Sequence, residues 1–155
     1  MISKLSELLL TASFMKGIGP RALKDLIQIL SRDDLSQQNL YRAIENIAQR
    51  KRTIDLSKQS FENAVAKSKD QIEKANKLGI DIICSMDDCY PKLLKNSSYD
   101  PCLLYVKGNI DNLSSRAIAV IGTRFPSEFG AKFSYRISNY LASNNIVVVS
   151  GLALG

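Results

Sequence analysis

The sequence predicts an α/β protein in two parts: a small helical domain over residues 1–55, then the first part of a parallel sheet with its crossover helix over residues 56–155. The prediction rests on three features. Apolar residues recur at helical spacing through the first fifty positions. Arg50-Lys51-Arg52 then opens a polar stretch that runs to about Gln59, the natural junction. Further on, the apolar runs Ala117–Ile121 and Ile146–Val149 flank a helical stretch at about 127–142. That is the length of a βαβ unit, and unbroken apolar strands without alternation suit parallel strands covered on both faces.

Element by element, Ile2, Leu5, Leu8, Leu9 and Ala12 define a first helix, and KGIGP at 16–20 ends it. Pro20 suits the first position of a second helix, where its missing N–H would have no partner anyway. Ala22, Leu23, Leu26, Ile27 and Leu30 form that helix's apolar stripe, and Leu40, Ala43, Ile44 and Ile47 that of a third, at about 36–49. From Phe61 a helix turns Phe61, Val65, Ile72, Ala75 and Leu78 inward and Lys67, Lys69, Lys74 and Lys77 outward, with Gly79 as its left-handed stop. Ile80–Cys84 reads as a short buried strand. Pro91 and Pro101 force extended or turn geometry on the segment that follows. CLLYVKG at 102–108 is another strand, and Phe129, Phe133, Ile137 and Leu141 share one face of the helix between the two apolar runs.

Composition bounds what such a chain does. It has 155 residues, 45% of them hydrophobic, and a formal charge of +6, a modest excess that permits a polyanionic partner. Residues 101–155 hold five cations against Asp111 and Glu128, so half of that excess falls in the last third. There is no histidine, which removes the commonest general base and every Ser-His or Cys-His pair, and there is no GxxxxGK[ST] phosphate loop. No catalytic residue, metal ligand or cofactor site is therefore expected. Cys84, Cys89 and Cys102 form no CxxC pair and are odd in number, which favours reduced thiols and a cytoplasmic location. LSELLLTASF is too short to span a membrane and Glu7 interrupts it, so no membrane partner is expected.

Two motifs carry candidate chemistry. In AIAVIGTRFPSEFG (117–130) an apolar strand ends at Gly122, and a helix starts near Ser127. Gly122 would let the chain bend sharply off the strand. The Thr123 hydroxyl and nearby N–H groups can donate to an anion at the helix start, and Arg124 adds a fork of donors for a phosphate. Ser127 suits an N-cap with Glu128 in the first turn. SGLALG (150–155) repeats the logic on the neighbouring strand, so Ser150, Gly151, Ala153 and Gly155 would face the same crevice. An ordinary strand-to-helix turn is the plain alternative. KGIGPRA (16–22) resembles the hairpin of helix-hairpin-helix motifs, in which a Gly-x-Gly turn presents backbone N–H groups to a nucleic-acid phosphate. On that reading Lys16, Gly17, Gly19, Arg21 and Lys24 form a secondary DNA contact, and a simple packing turn is the alternative. The lysine face at 61–78 and the 50–52 run read as solvated surface. Tyr90, Tyr99 and Tyr105 could stack bases, but their apolar, proline-flanked neighbours favour core packing.

The runs YPKLLKNSSYDPCLLYVKGN, AIAVIGTRFPSEFG and VVVSGLALG, in this order, resemble the DprA/Smf family of DNA-processing protein A. The resemblance covers about residues 80–155 strongly, and the helical start fits that family's sterile-alpha-motif-like domain weakly. It implies an extended Rossmann-like sheet and a non-enzymatic protein that binds single-stranded DNA without sequence preference. Such proteins load RecA onto the strand during natural transformation (competence) and recombination, and they act as homodimers. By position, Gly122, Thr123 and Arg124 would line the strand-binding pocket and Ser150, Gly151, Ala153 and Gly155 its second wall. The family pattern continues past SGxAxG into a second half of the sheet with further DNA contacts and the dimer surface. The 155 residues alone are accordingly expected to bind DNA weakly or not at all. Two other classes remain open: a nucleotide-processing enzyme like the cytokinin-activating phosphoribohydrolases, and a protein-interaction module built on the first helices.

Overall fold

Ser3 accepts a hydrogen bond from the Ser6 N–H at 3.2 Å and so starts α1 (Lys4–Ser13) at a satisfied N-cap. The same device opens α3 (Gln37–Ala48) at Ser36, α4 (Lys58–Lys77) at Ser57 and α6 (Glu128–Ser143) at Ser127, while α2 (Pro20–Leu30) begins on its proline as expected. The computed structural model describes residues 2–30, 34–50 and 53–152. Between the long helices lie β1 (Ile80–Cys84), the one-turn α5 (Lys92–Lys95), β2 (Leu103–Lys107), a 3₁₀ turn (Ile110–Ser114), β3 (Ala117–Ala119) and finally β4 (Val147–Val149). The chain forms two compact units, residues 1–110 and 111–155.

In the first unit α1 is the central element. Leu8, Leu9 and Leu10 are all essentially inaccessible, because α1 has α2 and α3 on one side and α4 and β1 on the other. A helix that is apolar around most of its circumference must be covered all round. Its core joins Leu26 and Leu30 of α2, Leu40 and Ile44 of α3, and the buried thiols Cys84 and Cys102 from the strand region. Each buried leucine contributes about 2 kcal/mol by removal from water. A buried polar bridge joins α1 and α4: Thr11 Oγ1 and Ser68 Oγ are hydrogen-bonded at 2.9 Å, and the Glu7 carbonyl lies 3.0 Å from the same Thr11 hydroxyl. Leu78, expected to face inward, instead caps α4 in the open at 59% exposure, because Gly79 (φ +64°) turns the chain away one residue later.

The extended parallel sheet is not what the described residues form. They make two separate two-stranded sheets. β1 and β2 run antiparallel, from Ile80 opposite Lys107 to Cys84 opposite Leu103. The physical reason is the connection. A parallel pair needs a crossover of about a dozen residues or more, usually a helix, and the 85–102 segment holds a single four-residue turn of helix between two prolines. Only β3 and β4, joined through α6, meet the parallel expectation, with Ala117, Ile118 and Ala119 opposite Val147, Val148 and Val149.

The second unit also corrects the burial expected of it. Of Phe129, Phe133, Ile137 and Leu141, only Leu141 is buried, and all three residues of β3 are exposed. One helix against two three-residue strands can cover part of one sheet face at most; the rest of both apolar surfaces meets water.

Candidate nucleic-acid interface

The geometry around the glycine turn follows from the parallel register. With Ala119 opposite Val149, and the Val120 N–H donating to the Val149 carbonyl at 2.9 Å, both strands end at the same level. Residues 120–127 and 150–152 therefore leave from one edge of the sheet. Ala153 and Gly155, placed in the second wall by sequence, lie outside the described residues.

The turn is built differently from expectation. A Cβ on Gly122 would meet nothing within 4 Å and its φ is not left-handed, so the chain does not need glycine there in order to bend. The bend falls at Arg124–Phe125 and is held by the Phe125 N–H, which donates to Thr123 Oγ1 at 3.3 Å. A hydroxyl that accepts one bond keeps its own proton to give, so Thr123 can still donate outward. The same holds for Ser127, whose Oγ accepts from the Gly130 N–H at 3.2 Å. Arg124 is exposed and has no ion pair among the described residues, whereas Glu128 on the first turn of α6 lies 3.7 Å from Lys132. Ser150 and Gly151 are exposed beside it on the neighbouring strand's exit. What stands together at this edge is a guanidinium, three hydroxyls and the N-terminal end of a sixteen-residue helix, all groups that favour an anion.

The KGIGPRA turn is engaged internally. Gly17 adopts φ +91°, and a Cβ there would overlap the Thr53 carbonyl and come within 3.0 Å of Ile54 Cα. The Lys16 carbonyl accepts from the Asp55 N–H at 3.3 Å, and the Ile18 N–H donates to the Met15 carbonyl at 3.2 Å. The Asp55 carboxyl, held below its usual value first by the Ser57 N–H, adds its charge near Lys16. Gly19 is open and Arg21 is exposed. Lys24 lies 3.7 Å from the buried Asp100 carboxylate, so a phosphate there would have to compete with a carboxylate already present.

Asp100 is the residue that sequence reasoning missed. Its Oδ1 accepts from the Tyr90 hydroxyl at 2.7 Å and from the Cys102 N–H at 3.1 Å, beyond the Lys24 contact of Oδ2. The two doublets Tyr90-Pro91 and Asp100-Pro101 stand in the sequence as turn formers and as part of the family pattern, but neither reading pairs the tyrosine with the aspartate. Of the three tyrosines expected to pack in the core, Tyr90 alone does so; Tyr99 and Tyr105 are exposed. Tyr99 lies in the turn before Asp100, and Tyr105 lies in the middle of β2, where its neighbours Leu104 and Val106 are only partly covered. Burial, reinforced by the Asp100 hydrogen bond, pushes the Tyr90 phenol well above its ordinary value. Burial first, and then the Asp100 charge, pushes the Cys102 thiol up to about 11.

That shift has a stability consequence with a definite sign. A folded value above the unfolded one favours the protonated native state. Its contribution is whole below the ordinary thiol value of 9.0 and is lost as pH rises through about 11. Thermal melts between pH 9 and 11 are expected to fall, and to fall less steeply in Cys102→Ala than in the parent chain. Equal slopes would show that this thiol carries none of the dependence.

A parallel βαβ with both strand exits at one edge is the α/β arrangement in which loops at the carboxyl ends of the strands form the site. Within that class the comparisons are specific. The family model for DNA recombination-mediator protein A matches residues 81–155, and those residues are similar to the DprA/Smf family. It is 44% identical over 70 residues to DNA processing protein DprA of Streptococcus pneumoniae, covering 45% of this chain and 24% of that one. It is 35% identical over 78 residues to DNA processing protein DprA of Bacillus subtilis, covering 50% and 26%. It is also 34% identical over 73 residues to Protein Smf of Synechocystis, covering 44% and 18%. The chain thus spans about a quarter or less of the length of these relatives. The family match starts within β1, and the four N-terminal helices precede it. No helix among the described residues is long and apolar enough to cross a membrane.

Proposed function

We propose that the protein is a non-enzymatic recombination mediator that binds single-stranded DNA without reading its sequence and loads RecA onto it, acting as a homodimer in its full-length form. The phosphate site is the edge formed by Gly122, Thr123, Arg124 and Ser127 together with Ser150 and Gly151, and Arg124 is its main counter-charge. One observation carries the reading: the parallel register brings both strand exits to one edge, where the Arg124 guanidinium has no carboxylate partner among the described residues. An exposed, unpaired guanidinium beside a helix N-terminus suits a backbone phosphate, which is common to all sequences. The family similarity over residues 81–155 supports the assignment to DNA recombination.

The test is binding of oligo(dT) and of mixed-sequence oligonucleotides across a salt series by the full-length protein. Arg124→Ala is expected to weaken binding about tenfold, to a similar degree for every sequence, and to lower the log–log salt slope by about one. Unchanged affinity and slope would remove Arg124 from the site.

A further inference from the structure

The side chain next to Arg124 extends this reading from phosphate to base. We infer that Phe125 is a stacking platform for an unpaired base, and that the Arg124–Phe125 pair grips one nucleotide by its phosphate and its ring together. The inference rests on the phosphate reading above and names the feature that makes the site select single strands.

Phe125 is 91% exposed. Leaving a phenylalanine in water forfeits about 2 kcal/mol of burial, yet single exposed aromatics are common enough to need a second argument. Two are available. The ring is mounted on a constrained segment. Pro126 confines Phe125 to extended backbone, and its N–H is tied to Thr123 Oγ1 at 3.3 Å, so the ring projects from a bend that is already formed. Its position also differs from that of the other exposed aromatic residues in this unit, which all lie on α6, while Ile121 and Leu152 share its edge but have no ring to stack. Ile118 and Val149 lie on β3 and β4, and Phe129 and Phe133 stack on each other along α6 with centroids 6.1 Å apart. Those residues stand on the faces of the sheet and of α6. Phe125 stands beyond the strand's end, between the carboxyl edge of the sheet and the start of α6. At that edge a ring face beside a guanidinium offers a nucleotide both of its general attractions, stacking and charge, without any hydrogen-bond readout of sequence. Duplex DNA keeps its bases stacked inside and cannot use the ring.

The experiment separates ring from charge. Phe125→Ala in the full-length protein is expected to weaken oligo(dT) binding about tenfold while leaving the salt slope unchanged, because no phosphate contact is lost. These 155 residues contain no tryptophan, so Phe125→Trp, placed in a full-length background whose other tryptophans are replaced by phenylalanine, introduces a single indole emitter. Its fluorescence is expected to be quenched by oligo(dT) with near-parental affinity, and not by a duplex of the same length. Parental affinity in Phe125→Ala, or unquenched emission from Phe125→Trp with oligo(dT) bound, would overturn the platform and leave the phosphate reading intact. Loss of slope in Arg124→Ala together with normal Phe125→Ala binding would likewise assign the site to charge alone. The converse result would retain the ring and remove the guanidinium. If the unmodified protein does not bind oligo(dT), the phosphate reading and the platform fall together.

Discussion

Gly17→Ala is expected to destabilise the N-terminal unit by about 2–5 kcal/mol, a large share of the roughly 5–15 kcal/mol that holds a domain together. Two costs combine. A residue with a Cβ held in the left-handed region loses about 1–2 kcal/mol, and at Gly17 φ is +91°. The added carbon would also overlap the Thr53 carbonyl, a backbone group that cannot rotate aside as a side chain would. Moving it disturbs the Asp55 N–H bond to the Lys16 carbonyl that ties the turn to the start of α4, adding about 1–3 kcal/mol. Gly19 is the internal control. It has neither a positive φ nor any atom within 4 Å of a Cβ, so Gly19→Ala is expected to leave the urea midpoint unchanged or raise it slightly. Equal midpoints for the two variants would refute the packing role of Gly17. The pair also probes the hairpin resemblance. If Gly19→Ala weakens DNA binding without loss of stability, the open half of the turn meets phosphate. If only Gly17→Ala has a phenotype, the turn serves packing.

This contrast shows what was legible in the sequence. The four N-terminal helices were readable because period and caps agree: Leu40, Ala43, Ile44 and Ile47 fall on one face, and Ser36 stands where a cap is needed. The strand at 80–84 and the stop at Gly79 were readable for similarly local reasons. What local pattern could not supply was pairing. Nothing inside IDIIC or LLYVK reveals that the two strands run antiparallel, since that is decided by the intervening eighteen residues and their lack of a crossover helix. Burial in the second unit failed for a related reason. Phe129, Phe133 and Ile137 have the spacing of a buried stripe, but spacing tells which face is apolar and not whether anything covers it. At the candidate site the residue types were legible and their roles were not. Thr123 was read as an anion donor, yet its oxygen first holds the bend. Gly122 was read as the bend itself, although the bend lies two residues later.

Asp100→Ala is expected to cost about 2–5 kcal/mol, because it withdraws one acceptor from three donors at once. The Tyr90 hydroxyl, on a residue 3% exposed, and the Cys102 N–H would be left buried without a partner, each at about 1–3 kcal/mol. The third donor costs least, since Lys24 has a half-exposed side chain and can turn to water. Asp100→Asn keeps an oxygen for Tyr90 and Cys102 while discarding the charge, and should recover most of the loss. Tyr90→Phe removes one donor and leaves the carboxylate its other two, for about 1 kcal/mol. The expected order of urea midpoints is therefore parent, then Asp100→Asn and Tyr90→Phe, with Asp100→Ala lowest. If Asp100→Asn is as damaging as Asp100→Ala, the ion pair to Lys24 is the dominant contact and the hydrogen bonds are secondary. That outcome would also bear on DNA. A lysine whose charge stabilises a buried carboxylate is less free to serve a phosphate, and Lys24→Ala would then lower stability more than it lowers affinity for oligo(dT).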